Sequence, residues 1–416
     1  MDVPESLLLR VARWLAFASS AAIVVGIAPS QILLGMALAA LLLSREKLRL
    51  PPIKLPLGLF LLGTLIAIAF SGDPAAGFPQ VKKIYVFFQL LVVFSLLNVE
   101  WVRWLFLTWA ALGSISAGLS FIQFARKVRE AHAAHSDVYS FYVGERITGF
   151  MSHWYTFSAE EMFILIMLGS FLLFAPVTRK YLFVWCSAML VMLSGLLLAE
   201  TRGIWIATTA AGLYLLWFWR RWVVLLIPVA IAAGFLFSPP VIRERFTSIL
   251  RPGKLDSNDF RVVTWRTGLR MIERHPWLGL GPEMPRIHFN EYVPSDIPRP
   301  LPVGSYIHLH NIYLHYAAER GIPTLLVFLW LMGRILVDFS RGLRTLPPGR
   351  GDPRFLLYGG VASVLAILVD GVANMNLGDS EVLTMFLVVV ASGYLALETK
   401  IPAEIAPSQE PLHAAT

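Results

Sequence analysis

The chain has 416 residues, of which 56% are hydrophobic and only 15% charged, with a mean hydropathy of +0.65. No soluble domain of this length needs so much apolar surface, so the composition excludes that class and describes an all-α polytopic membrane protein. The balance is basic, 35 Lys and Arg against 27 Asp and Glu, which in such a protein reflects cytoplasmic loops first and anionic lipids or substrates second.

In chain order, Arg10 and Arg13 precede an apolar stretch, but no small-residue cleavage site follows, so no cleavable signal peptide is read. A spanning helix takes roughly 20 mostly apolar residues. That measure places about twelve, near 11–28, 30–44, 55–71, 83–98, 102–124, 157–175, 181–199, 203–219, 222–238, 311–338, 354–371 and 381–397. Residues 1–238 then hold nine spans, 239–310 form one long outer segment, 311–400 hold three more spans, and 401–416 read as a disordered cytoplasmic tail. The connections SREKLRLPPIK (44–54), PVTRK (176–180), Arg220–Arg221 and SRGLRTLPPGRGDPR (340–354) are short and strongly basic. They alternate correctly with cytoplasmic N- and C-termini. The single cysteine, Cys186, lies in an apolar run and reads as a small buried hydrophobe.

The charge rule is broken on the expected outer side. Lys82, Lys83, Arg126, Lys127, Arg129, Arg146 and Arg202 fall there, as do Arg243, Arg245, Arg251, Arg261, Arg266, Arg270 and Arg274 of the outer segment. For most of these a solvated basic loop suffices. Lys82, Lys83, Arg146 and Arg202 instead sit against span ends, and cations gathered from distant parts of the chain fit one shared anion such as a lipid-linked phosphate. Within the outer segment, RVVTWRTGLRMIERHPWLGLG (261–281) sets Val262, Trp265, Leu269 and Ile272 at helical spacing. It reads as an amphipathic helix on the membrane surface or over a cavity, stopped by Pro276.

The head of the tenth span, SYIHLHNIYLHYAAERGIPTLLVFLWL (305–331), spends His308, His310, Asn311, His315, Glu319 and Arg320 on its first turns. His310 and His315 point about 140° apart on a helix, whereas His315 and Glu319 share a face. That is a poor two-histidine metal site, and His308 with His310 reach one metal only from extended chain. Asp370, Asn374, Asn376, Asp379 and Glu381 cluster between the last two spans, as a polar turn or as further lining of the same outer cavity.

Four stretches resemble the O-antigen ligase and polymerase superfamily, and they fall in its order. HLHNIYLHYAAERGIPTLLVF (308–328) resembles its H-N-x-x-L…E-x-G signature, and RITGFMSHWYTFSAEEM (146–162) its R-x-x-G-x-F stretch. LLLAETRGIWIA (196–207) resembles the S/T-R-G-x-W at the head of a span, and residues 261–281 resemble R-x-x-x-W…P-x-x-G-x-G. The chain departs at Gly268, where the family has alanine, at Pro323, and at the turn carrying His153.

The resemblance implies a C-type glycosyltransferase fold in the inner membrane of a Gram-negative bacterium, with its site on the periplasmic face. The activity implied is transfer of O-antigen polysaccharide from undecaprenyl diphosphate to a sugar hydroxyl of lipid A–core. A diphosphate leaving group needs its charge held, which arginine forks do without a metal, and no cofactor is implied. The acceptor hydroxyl needs a base, a role carried to His310. Arg202 and Arg261 match the diphosphate-binding arginines, with Arg146, Lys82 and Lys83 as further candidates for the same anion, and Asn311 and Glu319 orient the helix lip. The implied partners are the lipid-linked donor, the lipid A–core acceptor and membrane lipids, with no nucleic acid. An O-antigen polymerase using the same donor is the nearest alternative. A transporter of a lipid-linked anionic solute is the alternative from another class, disfavoured because the polar residues crowd one face.

Overall fold

The computed structural model describes residues 6–240, 242–244, 247, 258–347 and 349–399. Arg245, Arg251 and the tail 401–416 lie outside them. The described residues are helical with no strand, as expected for a chain whose backbone groups must be satisfied without water. The helices are α1 (Leu7–Ala22), α2 (Ile27–Leu43), α3 (Lys54–Ala69), α4 (Phe78–Lys83), α5 (Phe88–Leu96), α6 (Val99–Ala133), α7 (Val138–Gly144), α8 (Trp154–Phe174) and α9 (Arg179–Leu198). After them come α10 (Arg202–Arg220), α11 (Ile227–Phe237), α12 (Asn258–Arg274), α13 (Met284–Ile287), α14 (Phe289–Tyr292), α15 (Ile312–Thr345), α16 (Asp352–Asp370) and α17 (Ser380–Glu398).

Eight stretches are long and apolar enough to cross a membrane, against the twelve expected: Phe78–Leu96, Val99–Ala133, Trp154–Phe174, Arg179–Leu198, Arg202–Phe237, Ile312–Thr345, Asp352–Asp370 and Ser380–Glu398. Two causes account for the difference. The regions near 11–28, 30–44 and 55–71 fold as helices of 16, 17 and 16 residues, at or just below the lower end of the usual spanning length. The expected pair at 203–219 and 222–238 falls within one helical stretch, which Arg220 interrupts in an extended conformation (φ −154°, ψ 97°).

Polar side chains set the helix starts. Asn98 accepts from Trp101 N–H at α6, Asn311 from Tyr313 and Leu314 N–H at α15, and Asp379 from Glu381 and Val382 N–H at α17, each relieving amides that the first turn leaves unpaired. α8, α16 and α17 are the most enclosed helices. They approach closely because small residues face bulky ones: Gly360 and Gly393 both lie against the ring of Phe339, and Ser170 donates to Phe355 O at 2.7 Å. Cys186 departs from its expected burial. It is exposed on α9, where Tyr181, Phe183, Val184 and Leu190 also face away from the bundle while Met192 and Leu196 are buried in it.

The basic connections gather at one end of the bundle. There Arg49 pairs with Glu398, Arg103 with Asp352, and Gly351 N–H donates to Phe174 O. The starts of α4, α8, α10, α15 and α17 meet at the other end, under the segment that contains α12.

Candidate functional site

At that end lies a cavity of about 710 Å³. Its wall brings together His310, Arg202, Arg261, Arg146, Lys83 and Glu319 from widely separated stretches of chain. His308, His315, Gln80, Glu283, Asn374, Asp379 and Glu381 also line it. Two of the site residues read from the sequence are not in the wall. Lys82 is exposed, with its Nζ 5.1 Å above the Phe78 ring, and Asn311 caps α15 while its Nδ2 donates to Val372 O at 3.0 Å.

Each basic residue is delivered by a local feature of the chain. Arg202 is the first residue of α10 and is 8% exposed, so the positive end of a 19-residue helix and a guanidinium coincide at the cavity wall. The adjoining Gly203 lets that end pack down: a Cβ there would stand 2.5 Å from Asn374 Nδ2 and 2.8 Å from Asp370 Oδ1. Arg146 stacks its guanidinium 5.0 Å from the Trp154 ring and donates to Val143 O. Lys83 Nζ donates to Gly378 O at 2.6 Å, which ties α4 to the turn before α17. In that turn Asp379 Oδ2 accepts from Thr156, while Asp370 accepts from Tyr155, Asn374 and Asn376.

α12 supplies Arg261 and a clamp on the histidine loop. Its buried face is Phe260, Val263, Thr264, Thr267 and Met271, whereas Val262 and Leu269 are 55% and 49% exposed. The stripe expected from spacing thus faces outward at Val262 and Leu269, and a second set of side chains packs inward. The helix packs against the 308–310 peptide, and close packing there requires small residues: Gly268 faces Leu309, whose Cδ1 would be 2.6 Å from an added Cβ. Trp265 Nε1 donates to His310 O at 3.4 Å, while Thr264 Oγ1, which donates to Arg261 O at 2.9 Å, lies 3.4 Å from Leu309 O.

His310 has a positive φ of 48°, sparsely populated by non-glycine residues. Its ring lies edge-on to Phe260 with centroids 5.0 Å apart, and Nε2 lies 3.0 Å from Ser305 O. That bond assigns the proton to Nε2 and leaves Nδ1 as an acceptor. Burial pushes its pKa down to about 4, with Arg261 acting in the same direction against the Ser305 carbonyl. His308, its centroid 4.9 Å from His310, is pushed down to about 3 by burial and the two neighbouring histidines. Both rings are therefore neutral at pH 7, and His310 presents a basic nitrogen beside a set of cations. His153 caps α8 through Nδ1 and stacks on Trp154; burial lowers its pKa too.

Spacing did not reveal how the glycine loop 276–283 and α15 fit together. α15 breaks at Gly321 (φ 78°, ψ 164°), two residues before Pro323, and the loop docks into the break. Leu280 N–H donates to Ala318 O, Gly281 N–H to Glu319 O, and Ile322 N–H to Pro276 O. A Cβ on Gly279 would lie 2.4 Å from the Glu319 carbonyl carbon, and one on Gly321 2.0 Å from Trp277 O. The P-x-x-G-x-G and E-x-G patterns are thus two halves of one joint.

The guanidinium and ammonium groups suit a multiply charged anion, and a neutral histidine beside them suits removal of a proton from a nucleophile. Residues 187–329 match the O-antigen ligase family model. The O-antigen ligase match takes in Arg202, Arg261, the glycine loop, His310 and Glu319, while Arg146, Lys83 and the 374–381 turn lie outside it. No protein of curated function matches the chain. That family's activity is of O-antigen ligase or polymerase type, in glycan assembly.

Proposed function

We propose that this chain is an O-antigen ligase of the C-type glycosyltransferase kind. It would move O-antigen polysaccharide from undecaprenyl diphosphate to a sugar hydroxyl of lipid A–core, at the periplasmic face of the inner membrane. One observation carries the reading: a single cavity sets a neutral His310 beside Arg146, Arg202, Arg261 and Lys83. In this reaction the acceptor hydroxyl attacks the anomeric carbon, its proton passes to His310 Nδ1, and the C–O bond to the diphosphate breaks. The cations hold the charge that accumulates on the leaving group, so no general acid and no metal is required. The match to the O-antigen ligase family supports the substrate class.

Two further features fit a lipid-linked donor. A small apolar cavity of about 60 Å³, sharing Gln80 and Lys83 with the polar one, is walled by Phe60, Leu90, Phe328, Leu331 and Phe386, room for the first carbons of a lipid chain but not for its length. The basic connections lie at the opposite end of the bundle, where the charge rule puts the cytoplasm. Residues 258–310 then act as the periplasmic cover.

Ligase and polymerase share the donor and differ in acceptor. A strain lacking this gene should display lipid A–core with no O-antigen and accumulate full-length O-antigen on undecaprenyl diphosphate. Core capped by one repeat unit would instead assign the polymerase reaction.

A further inference from the structure

Glu319 is 1% exposed, and its carboxylate gathers hydrogen bonds from separate stretches of chain. Oε1 accepts from Glu283 N–H at 2.8 Å and lies 3.2 Å from His315 Nε2, while Oε2 accepts from Arg320 Nη1 at 2.5 Å. Arg320 donates onward to Thr64 Oγ1 and Gln80 Oε1, and Gln80 donates to Glu283 Oε1 at 2.7 Å. These bonds close a ring joining α3, α4, the glycine loop and α15. A largely buried ring of hydrogen bonds of this kind holds its members rigidly.

His315 projects from that ring toward the histidine loop. Its Nε2–H donates to Glu319, and its Nδ1 accepts a long bond of 3.5 Å from the N–H of Leu309, the residue before His310. Both nitrogens are thereby engaged, although the ring borders the cavity. On the other side the Leu309 carbonyl lies 3.4 Å from Thr264 Oγ1, and the carbonyl of His310 accepts from Trp265 Nε1. A residue at positive φ keeps that conformation only where its surroundings enforce it.

We propose that His315 is a positioning residue for the transfer proposed above. Glu319 fixes its ring, and Nδ1 fixes the Leu309–His310 peptide so that the base stays aimed into the cavity. The inference rests on the reading of His310 as base. Full-length protein in proteoliposomes, given an undecaprenyl-diphosphate-linked oligosaccharide and lipid A–core, tests it with three variants. Asn at 315 places an oxygen where Nδ1 lies and keeps the arm to Leu309. Gln places an amide nitrogen where Nε2 lies and keeps the arm to Glu319. Phe keeps the ring and removes both.

Misplacing a reacting group by about 1 Å lowers turnover roughly 10²-fold. His315→Phe should therefore lose kcat on that scale with the donor KM unchanged, His315→Asn should recover most of the loss, and His315→Gln little. Recovery by Asn is the signature of an arm to Leu309, because a merely structural role would not separate Asn from Gln. Equal activity of the three variants, or a donor KM that rises with the fall in kcat, would overturn the assignment. His310→Ala in the same assay separates the two claims: its retention of activity would remove the base itself, whereas its inactivity alongside indistinguishable His315 variants would remove only the positioning role.

Discussion

At residue scale the account turns on a proton and an anion. Burial draws the pKa of His310 down to about 4, so the free enzyme already holds the basic form at neutral pH. We predict that kcat/KM stays flat from pH 7 to about 5 and falls below that as the imidazole protonates. A bound diphosphate favours the protonated ring, so the acid limb of kcat should lie at higher pH than that of kcat/KM. A kcat/KM limb near the ordinary histidine value of about 6.5 would contradict the desolvated environment. For the anion, Arg202→Ala and Arg261→Ala each remove a charge-assisted contact worth about 1.5–3 kcal/mol. Undecaprenyl diphosphate binding, measured by titration in detergent, should weaken about 10- to 100-fold. The sequence made Arg202, Arg261 and His310 legible because each sits in a short motif at a helix end. It gave no hint of Gln80 or Glu283, whose roles exist only through contacts across more than 200 residues of chain, nor that Lys82 would turn away while Lys83 turned in.

At the scale of elements, the break in α15 is the decisive feature. Gly321 and Pro323 could be read as helix breakers, but not that Pro276–Gly281 would fill the gap and complete the backbone hydrogen bonding there. Gly279 lies at φ 69°, and a Cβ on it would meet the backbone of Glu319 and Arg320. Gly279→Ala should therefore combine left-handed strain of about 1 kcal/mol or more with loss of the docked loop. A lowered thermal midpoint and new protease cleavage within 270–285 would be the readout; unchanged values would mean that the joint tolerates displacement. α12 shows the reverse limit of spacing. Its helix was legible from residues 261–272, but its packing face was not, because Thr264, Thr267 and Gly268 carry the contact beside Val263 and Met271 while Val262 and Leu269 stay outside.

At the scale of the molecule, the expected helical membrane bundle is present, with eight candidate spans where hydropathy windows gave about twelve. The windows recorded apolar runs but not that α1, α2 and α3 are only 16 or 17 residues long. The proposed orientation rests on the short basic connections gathered at one end of the bundle and is open to labelling. In a Cys186→Ser background, a cysteine at the fully exposed Val303 should react with an impermeant thiol reagent from the periplasmic side. One at Arg350 should not, and the reverse pattern would invert the site. The most direct test of the central claim is reconstituted transfer by wild type and His310→Ala, with donor binding measured on the same samples in excess chelator. The account predicts that wild type transfers O-antigen to lipid A–core, and that His310→Ala binds undecaprenyl diphosphate normally while turnover falls about 10²- to 10⁴-fold. Wild-type turnover by His310→Ala, or transfer that stops in chelator and returns with added Mg²⁺ or Mn²⁺, would contradict it.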